Sequence, residues 1–283
     1  MTRLRTLLFV PGNRADMLAK AERAGADVVL PDMEDSVPEV EKDHARSTVA
    51  GALERLAAAG SLVVPRVNAI ATGRLEADLT VVVGARIFGV SVGKIDGPGD
   101  IAEISRVLAK LERRAGLGIG SVKLIPWIET AKAIVHCQEI CTASARIVAA
   151  AFGAEDFTND MGIEPQDGSE LLHARSALCI AARAAGVAAL ETPYFQFRDL
   201  EGLRASSLAA KRLGFKGRFA IHPGQIATIA ECFAPSTEEI EHARRVVAAF
   251  EEAERRGRGS TSLDGRVIDV PVVKRARALL DSL

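Results

Sequence analysis

Cysteine is scarce in this chain: Cys137, Cys141, Cys179 and Cys232 are the four in 283 residues. Spread so thinly, they exclude the disulfide framework of small secreted domains. His136 beside Cys137 and Cys141 raises the thought of zinc, but no second paired motif completes a tetrahedral site. These thiols read as incidental groups on a helix. An excess of charge of one sign is also missing, with 36 Lys and Arg against 37 Asp and Glu. That balance speaks against a nucleic-acid footprint and against affinity for anionic membranes. Apolar runs stay short of bilayer length. The opening MTRLRTLLFVPGNR lacks the apolar core and cleavage site of a secretory signal. A soluble, cytoplasmic protein is the expectation. The Gly-rich dinucleotide fingerprint is absent too, since PGNR follows the first apolar run where GxGxxG belongs. No Ser-His-Asp arrangement is evident.

What the chain does have is a regular alternation. Short apolar runs at residues 6–10, 27–30, 62–65, 86–90, 122–128, 147–152, 187–190 and 218–221 read as buried parallel strands. Helical patterns fill the gaps at 16–24, 39–59, 72–83, 100–115, 130–143, 168–185, 200–213 and 225–231. Eight strand–helix units predict an α/β protein, a (β/α)₈ TIM barrel over residues 1–233. A doubly wound sheet is the alternative. Beyond the eighth unit, 234–283 predict a C-terminal helical extension: a charged helix at 236–256, a turn-rich stretch at 257–264, and a last helix at 272–283. Such an extension packs on a neighbouring subunit or on its own barrel.

Polar residues gather where the apolar runs stop. Pro11, Gly12, Asn13 and Arg14 follow the first run, and Asp32, Glu34 and Asp35 the second. Arg66 and Asn68 follow the third, Lys94 the fourth, and Glu129 the fifth. Glu155 and Asp156 follow the sixth, Glu191 the seventh, and His222 the eighth. In a barrel these ends share one face, where sites are built. Glu129 and Asp156 on successive strands form a candidate pair of ligands for a hard divalent cation. Mg²⁺ takes one or two protein carboxylates and leaves its other positions to substrate and water; two solvated loop acids are the bland alternative. Arg66 is placed to grip a substrate carboxylate through two parallel hydrogen bonds, or to pair with Glu34 or Asp35 instead. Asp32, Glu34 and Asp35 are too many acids for one ion, and read as groups orienting Arg66, Lys94 or metal-bound water, or else as surface acids at a helix start. The amides of Gly153 and Ala154 offer an anion contact. Arg14 in the GNR turn and Lys20 a little further on are candidate phosphate partners. His222, fixed by the following Pro223, reads as a wall or backbone-binding residue rather than a proton carrier. The histidines at 44, 136, 173 and 242 fall in helical stretches and carry no signal.

The segments LLFVPGNRADMLAKA, GADVVLPDMEDSVP, EKDHAR, the VPRVN turn, IPWIET, FGAEDF, GFKGRFAIHPGQI and DGRVIDVPVVKRA, in that order, resemble the citrate lyase β-subunit-like family within the HpcH/HpaI-type aldolases and acyl-CoA lyases. The resemblance runs nearly end to end. It implies a homotrimeric or hexameric modified TIM barrel with Mg²⁺ on Glu129 and Asp156, and with Arg66 binding the carboxylate of a 2-oxo acid. It also implies an acyl-CoA site lined by Phe9, Lys20 and the Ile221-His222 segment. A C-terminal segment would cover the neighbour's site and supply an acid, at the position of Asp269; Asp264, before a glycine, reads better as a turn residue. Three departures stand out: Pro31 in LPDMED, Gly93-Lys94 where Pro-Lys is usual, and Glu191 where aspartate is usual.

The implied chemistry is reversible carbon–carbon cleavage of a carboxylated 3-hydroxyacyl-CoA, malyl-CoA-like or citramalyl-CoA-like. The products would be an acyl-CoA and glyoxylate, pyruvate or oxaloacetate. A thioesterase using the same metal and Asp269 is one alternative. A citrate lyase β-like subunit that works within an assembly on an acyl-carrier protein is the other.

Overall fold

The computed structural model of the chain describes residues 2–84, 86–166 and 168–283. Nine short parallel strands make one sheet: β1 Thr6–Pro11, β2 Val28–Asp32, β3 Leu62–Val63, β4 Arg66–Val67, β5 Gly89–Val92, β6 Lys123–Ile128, β7 Ala149–Phe152, β8 Ala188–Glu191 and β9 Gly217–Ala220. β1 pairs with β2 on one side and with β9 on the other, so the sheet closes on itself. β3 and β4 both pair with β2 and together fill one position. The result is the expected eight-position barrel.

The helices run α1 Ala15–Ala21, α2 Lys42–Ala58, α3 Leu75–Val82, α4 Pro98–Arg114, α5 Ala131–Val135, α6 Cys137–Thr142, α7 Ala154–Met161, α8 Leu172–Ala185, α9 Leu200–Leu213 and α10 Ile226–Phe233. α4 shows why such segments form. Asp100 reaches back to the amides of Asp96 and Gly97, satisfying donors that a helix start leaves open. Ile101, Ile104, Leu108 and Leu111 then recur at helical spacing and are buried.

Side chains of each strand alternate between two cores. Leu7, Val28, Leu30, Val64, Ile125, Trp127, Ala149, Ala151, Leu190 and Phe219 fill the lumen. Their neighbours Leu8, Val10, Val29, Val63, Val90, Leu124, Ala150 and Phe152 face the helices. The small alanines of β7 leave room for Trp127 and Phe219, whose rings lie 4.5 Å apart.

Several boundaries differ from the sequence reading. The strand expected at 62–65 is split, because Pro65 has no N–H to give the ladder. Its neighbours bridge the gap: Val64 N–H donates to Val29 O and Ser91 N–H to Pro65 O. Pro31, expected at a strand end, lies within β2 opposite Val10. The strand read at 86–90 is displaced to β5, whose register is set by Arg66↔Ser91 and Val67↔Val92. The single helix expected at 130–143 is broken at His136. α7 was unforeseen; it puts Glu155 and Asp156 in the first turn of a helix rather than in a loop. The turn-rich stretch at 257–264 contains a strand.

Contacts divide the described chain into two compact units, Leu4–Phe233 and the stretch Ala234–Leu283 together with the first residues. The C-terminal unit holds α11 Thr237–Arg255, a hairpin of β10 Thr261–Leu263 and β11 Arg266–Ile268, and α12 Val270–Leu280. Ser236 and Glu239 form a capping box for α11. The hairpin turns at Asp264 and Gly265, both with positive φ (50° and 75°), the conformation a two-residue turn demands. Ala243, Val246, Phe250, Ile268, Val273 and Ala276 make this unit's own core. No helix among the described residues is long and apolar enough to cross a membrane.

At the end of the barrel where β6 and β7 begin, Glu112 is a buried structural hub. It accepts from Arg146 Nη1 at 2.7 Å and Nη2 at 2.6 Å, and from the amides of Gly120 and Val122 at 3.0 and 2.8 Å. Burial opposes its charge, but the Arg146 and backbone donors outweigh burial and hold the carboxyl down at about 2. An ordinary carboxyl near 4.5 in the unfolded chain binds protons first on acidification, so the stability this group contributes is present above 4.5 and is lost as pH falls toward 2. Glu112→Gln should therefore cost about 3 kcal/mol at pH 7. Urea unfolding at pH 7, 4 and 3 should show the gap to wild type closing. A constant gap would refute the assignment.

Candidate active site

The polar strand ends do meet at one mouth of the barrel. Arg66 opens β4 opposite Asp32, the last residue of β2. Its Nε and Nη2 each donate at 2.7 Å to one oxygen of Asp32. Nη1 faces Glu34 Oε2 at 2.9 Å and Asp35 Oδ2 at 3.3 Å. The guanidinium lies 4.6 Å above the Phe9 ring and 5.9 Å from Trp127, and Phe9 stacks on Phe219. An aromatic face and a bidentate acid restrict how the guanidinium can lie, and the Glu34 contact on Nη1 restricts it further. One fork of Arg66 is thus engaged by Asp32, and a ligand carboxylate would meet the outer edge formed by Nη1 and Nη2. Burial opposes the charge on Arg66, but Asp32, Glu34 and Asp35 more than compensate and raise its pKa. Burial likewise works against the Asp32 carboxylate, and Arg66 overrides it and lowers that pKa.

Glu129 follows β6 and is buried. Its Oε1 accepts from the Lys94 amide at 2.6 Å. Lys94 reaches that position with φ +54°, a conformation uncommon for a residue with a side chain. The Lys94 ammonium stands 2.6 Å from Asp156 Oδ1 and 3.7 Å from Glu129 Oε1, so both carboxylates converge on one cation. Gly153 permits this closeness, since a Cβ there would lie 2.4 Å from Glu129 Oε2. Desolvation pushes the Glu129 carboxyl up to about 7, with Lys94 pulling it down and Asp156 adding to the rise. Burial, above all, lifts Glu34 to about 8. Glu34 Oε2 is also buried without a hydrogen bond.

The donor set fits a divalent cation. Among the described residues, Asp32, Glu34, Asp35, Glu129 and Asp156 find their ion pairs in Arg66 and Lys94 alone, leaving three negative charges in excess when all are ionised. The donors are hard carboxylate oxygens, as Mg²⁺ requires. Among the described residues no group of three His, Cys, Asp or Glu is placed to hold a metal ion; the pair Glu129 and Asp156 would supply two ligands and leave the other positions to substrate and water.

The other candidates have different surroundings. Arg14 and Lys20 are exposed and pair with Asp16, and the Gly12 amide is engaged by Asp32 O. Ile221 and His222 are exposed; His222 Nδ1 accepts from the Gly224 amide and the ring stacks on Phe197. Phe9 belongs to the aromatic layer under Arg66. Glu191 is buried against Arg175 and Asn68 is bound to Asp78; both serve the fold. Asp269 lies in the C-terminal unit as the exposed N-cap of α12, accepting from the Val272 amide at 3.3 Å. Sequence reasoning missed Trp127 and Phe219 as the floor, for which period-two alternation in IPWI and GRFA was the signal.

Glu34 yields a pH test. A carboxyl near 4.5 unfolded and about 8 folded takes up a proton on folding, so wild-type stability falls as pH rises through that window. Glu34→Gln removes this loss. In metal-free buffer the variant should gain on the order of 1–2 kcal/mol relative to wild type between pH 5 and pH 8. Parallel stability curves would show that Glu34 is already ionised.

Comparison with known proteins agrees with this geometry. Residues 5–223 match the family described as HpcH/HpaI aldolase/citrate lyase. Citrate lyase subunit beta of Leuconostoc mesenteroides subsp. cremoris is 37% identical over 277 residues, 98% of this chain and 92% of that protein. Mitochondrial citramalyl-CoA lyase of Rattus norvegicus is 32% identical, covering 98% and 85%. Among solved structures, CitE from Mycobacterium tuberculosis in complex with magnesium, acetoacetate and coenzyme A superposes with a TM-score of 0.79 at 29% identity, covering 98% of this chain and 97% of that one. A closed parallel barrel with its acids and Arg66 at one mouth, matched nearly end to end by such relatives, is a member of the HpcH/HpaI aldolase/citrate lyase family.

Proposed function

We propose that this chain is a Mg²⁺-dependent carbon–carbon lyase that cleaves, or forms, a carboxylated 3-hydroxyacyl-CoA, with an acyl-CoA and a 2-oxo acid on the other side of the reaction. The observation that carries it is the convergence of Glu129 and Asp156 on the Lys94 ammonium beside the oriented guanidinium of Arg66. Lyase names among the relatives, and magnesium with coenzyme A in the CitE complex, support the same class. Glu129 and Asp156 would hold the ion, and when bound it supplies Lewis acidity to the oxo acid's carbonyl oxygen. Arg66 binds the oxo-acid carboxylate at its outer edge and so fixes the reacting carbon. Asp32, Glu34 and Asp35 hold Arg66, and the aromatic layer beneath keeps water from its inner face. In cleavage the hydroxyl gives its proton to solvent, the carbonyl forms as the bond's electron pair leaves with the thioester's α-carbon, and that carbon then gains a proton. Asp269 is our acid for this last transfer, acting from a neighbouring subunit of a homotrimer or hexamer. Phe9, Arg14, Lys20, Ile221 and His222 remain our candidates for contacts with the acyl-CoA. Four buried, unbridged thiols support placement in the cytoplasm.

A second reading, the same chemistry as a subunit of an assembly, is favoured by the 37% identity to a citrate lyase subunit beta. Incubating the purified chain and Mg²⁺ with acetyl-CoA or propionyl-CoA and glyoxylate, pyruvate or oxaloacetate separates the two by mass spectrometry. A condensed hydroxyacyl-CoA establishes stand-alone action; none with any pair overturns it.

Glu129→Gln and Asp156→Asn should each remove Mg²⁺-dependent turnover while circular dichroism stays unchanged, because each deletes a charged ligand from a site with few. Full activity with an intact metal requirement would eliminate that ligand. Asp269→Asn should cut turnover while leaving Mg²⁺ affinity intact. Mixing it with Glu129→Gln, once native mass spectrometry confirms subunit exchange, should restore part of the activity. No return of activity would place the acid within its own chain or outside the chemistry.

A further inference from the structure

Lys42 opens α2 and is almost fully buried. Its ammonium donates to the backbone carbonyls of Met33 at 3.0 Å and Glu34 at 2.7 Å. Among the described residues it has no carboxylate partner. Two physical rules are broken at once. A buried ammonium without a counter-charge is unfavourable, and a cation in the first turn of a helix opposes the helix dipole. Such local conflicts persist where a site demands them.

The segment that Lys42 grips is the one that orients Arg66. Met33 N–H donates to Arg66 O at 2.9 Å. Glu34 N–H and Ser36 N–H donate to the two oxygens of Asp32 at 2.9 and 3.2 Å. Asp32 is fixed by β2, but Glu34 lies beyond the strand, and its carboxylate reaches Arg66 only while the backbone at 33–34 is held. We propose that Lys42 is a positioning residue for 2-oxo-acid binding. It fixes the carbonyls of Met33 and Glu34, keeps the Glu34 carboxyl group against Nη1 of Arg66, and thereby sets the direction of the guanidinium's outer edge. This rests on the reading of Arg66 as the carboxylate ligand.

The test is calorimetric titration of pyruvate into the Mg²⁺-loaded protein, for wild type, Lys42→Met, Glu34→Ala and the double variant. Lys42→Met should weaken pyruvate about tenfold, the scale of one charge-assisted contact, while Mg²⁺ affinity moves less than about twofold. In the Glu34→Ala background the same substitution should change pyruvate affinity by less than about twofold, since the two act through one contact. Should Lys42→Met not fold, Lys42→Gln, which keeps one donor, carries the same comparison. A lowered Tm with pyruvate affinity unchanged makes Lys42 purely structural and overturns the inference. Equal losses in both backgrounds overturn it as well. If wild type binds none of pyruvate, glyoxylate and oxaloacetate, the oxo-acid reading itself falls, and this inference with it.

Discussion

Negative charge crowded into a partly buried barrel mouth is the constraint on which the rest of this structure turns. Five carboxylates share Arg66 and Lys94. In water their repulsion would be slight; behind strand ends, with Asp32, Glu34 and Glu129 buried, it is not. The fold answers with fixed donors. Asp32 has both oxygens on Arg66, and Glu129 has the Lys94 amide. What remains unbalanced is a preference for a small, highly charged cation, built into the apoprotein.

Barrel closure is what makes that crowding possible. Asp32, Glu34 and Asp35 share one segment, but that segment, Arg66, Lys94, Glu129 and Asp156 are separated by roughly one strand–helix unit each, and only parallel strands in a closed sheet deliver all their ends to one face. The Glu112–Arg146 pair at the other end shows the contrast. There one acid meets a full set of donors and is held far below the ordinary carboxylate range. At the mouth, Glu34 and Glu129 are left short and rise instead. The same residue type stabilises one end and is held poised at the other.

Much of this was legible in the sequence, for a definite reason. Short apolar runs ending in charges mark parallel strands and their C-terminal ends together, so the strand count, the barrel and the gathering of Asp32, Glu34, Asp35, Arg66, Lys94, Glu129 and Asp156 come from one pattern. Strand boundaries were less legible at 62–67 and 86–92, where Pro65 interrupts the ladder and pairing with neighbours sets the register. α7 escaped because its eight residues, bounded by two glycines, bury only Ala154, Phe157 and Thr158, too short a repeat to stand out beside the acids. Lys42 escaped for a deeper reason: its partners are backbone carbonyls, which leave no side-chain signature.

α7 also changes how the two converging carboxylates should be understood. Asp156 lies in the first turn of a helix, where the dipole favours an anion, and it is partly exposed. Glu129 has neither advantage; its burial disfavours the charge, and Gly153 presses the backbone against it. A cation placed between them relieves the burial that disfavours the charge on Glu129. Glu129 is thus the partner whose charge needs a nearby cation, and the partly exposed Asp156 leaves the pair open to solvent. A glycine at 153 and a left-handed backbone at Lys94 are the local departures from regular structure that let one carboxylate be buried and the other remain open to solvent.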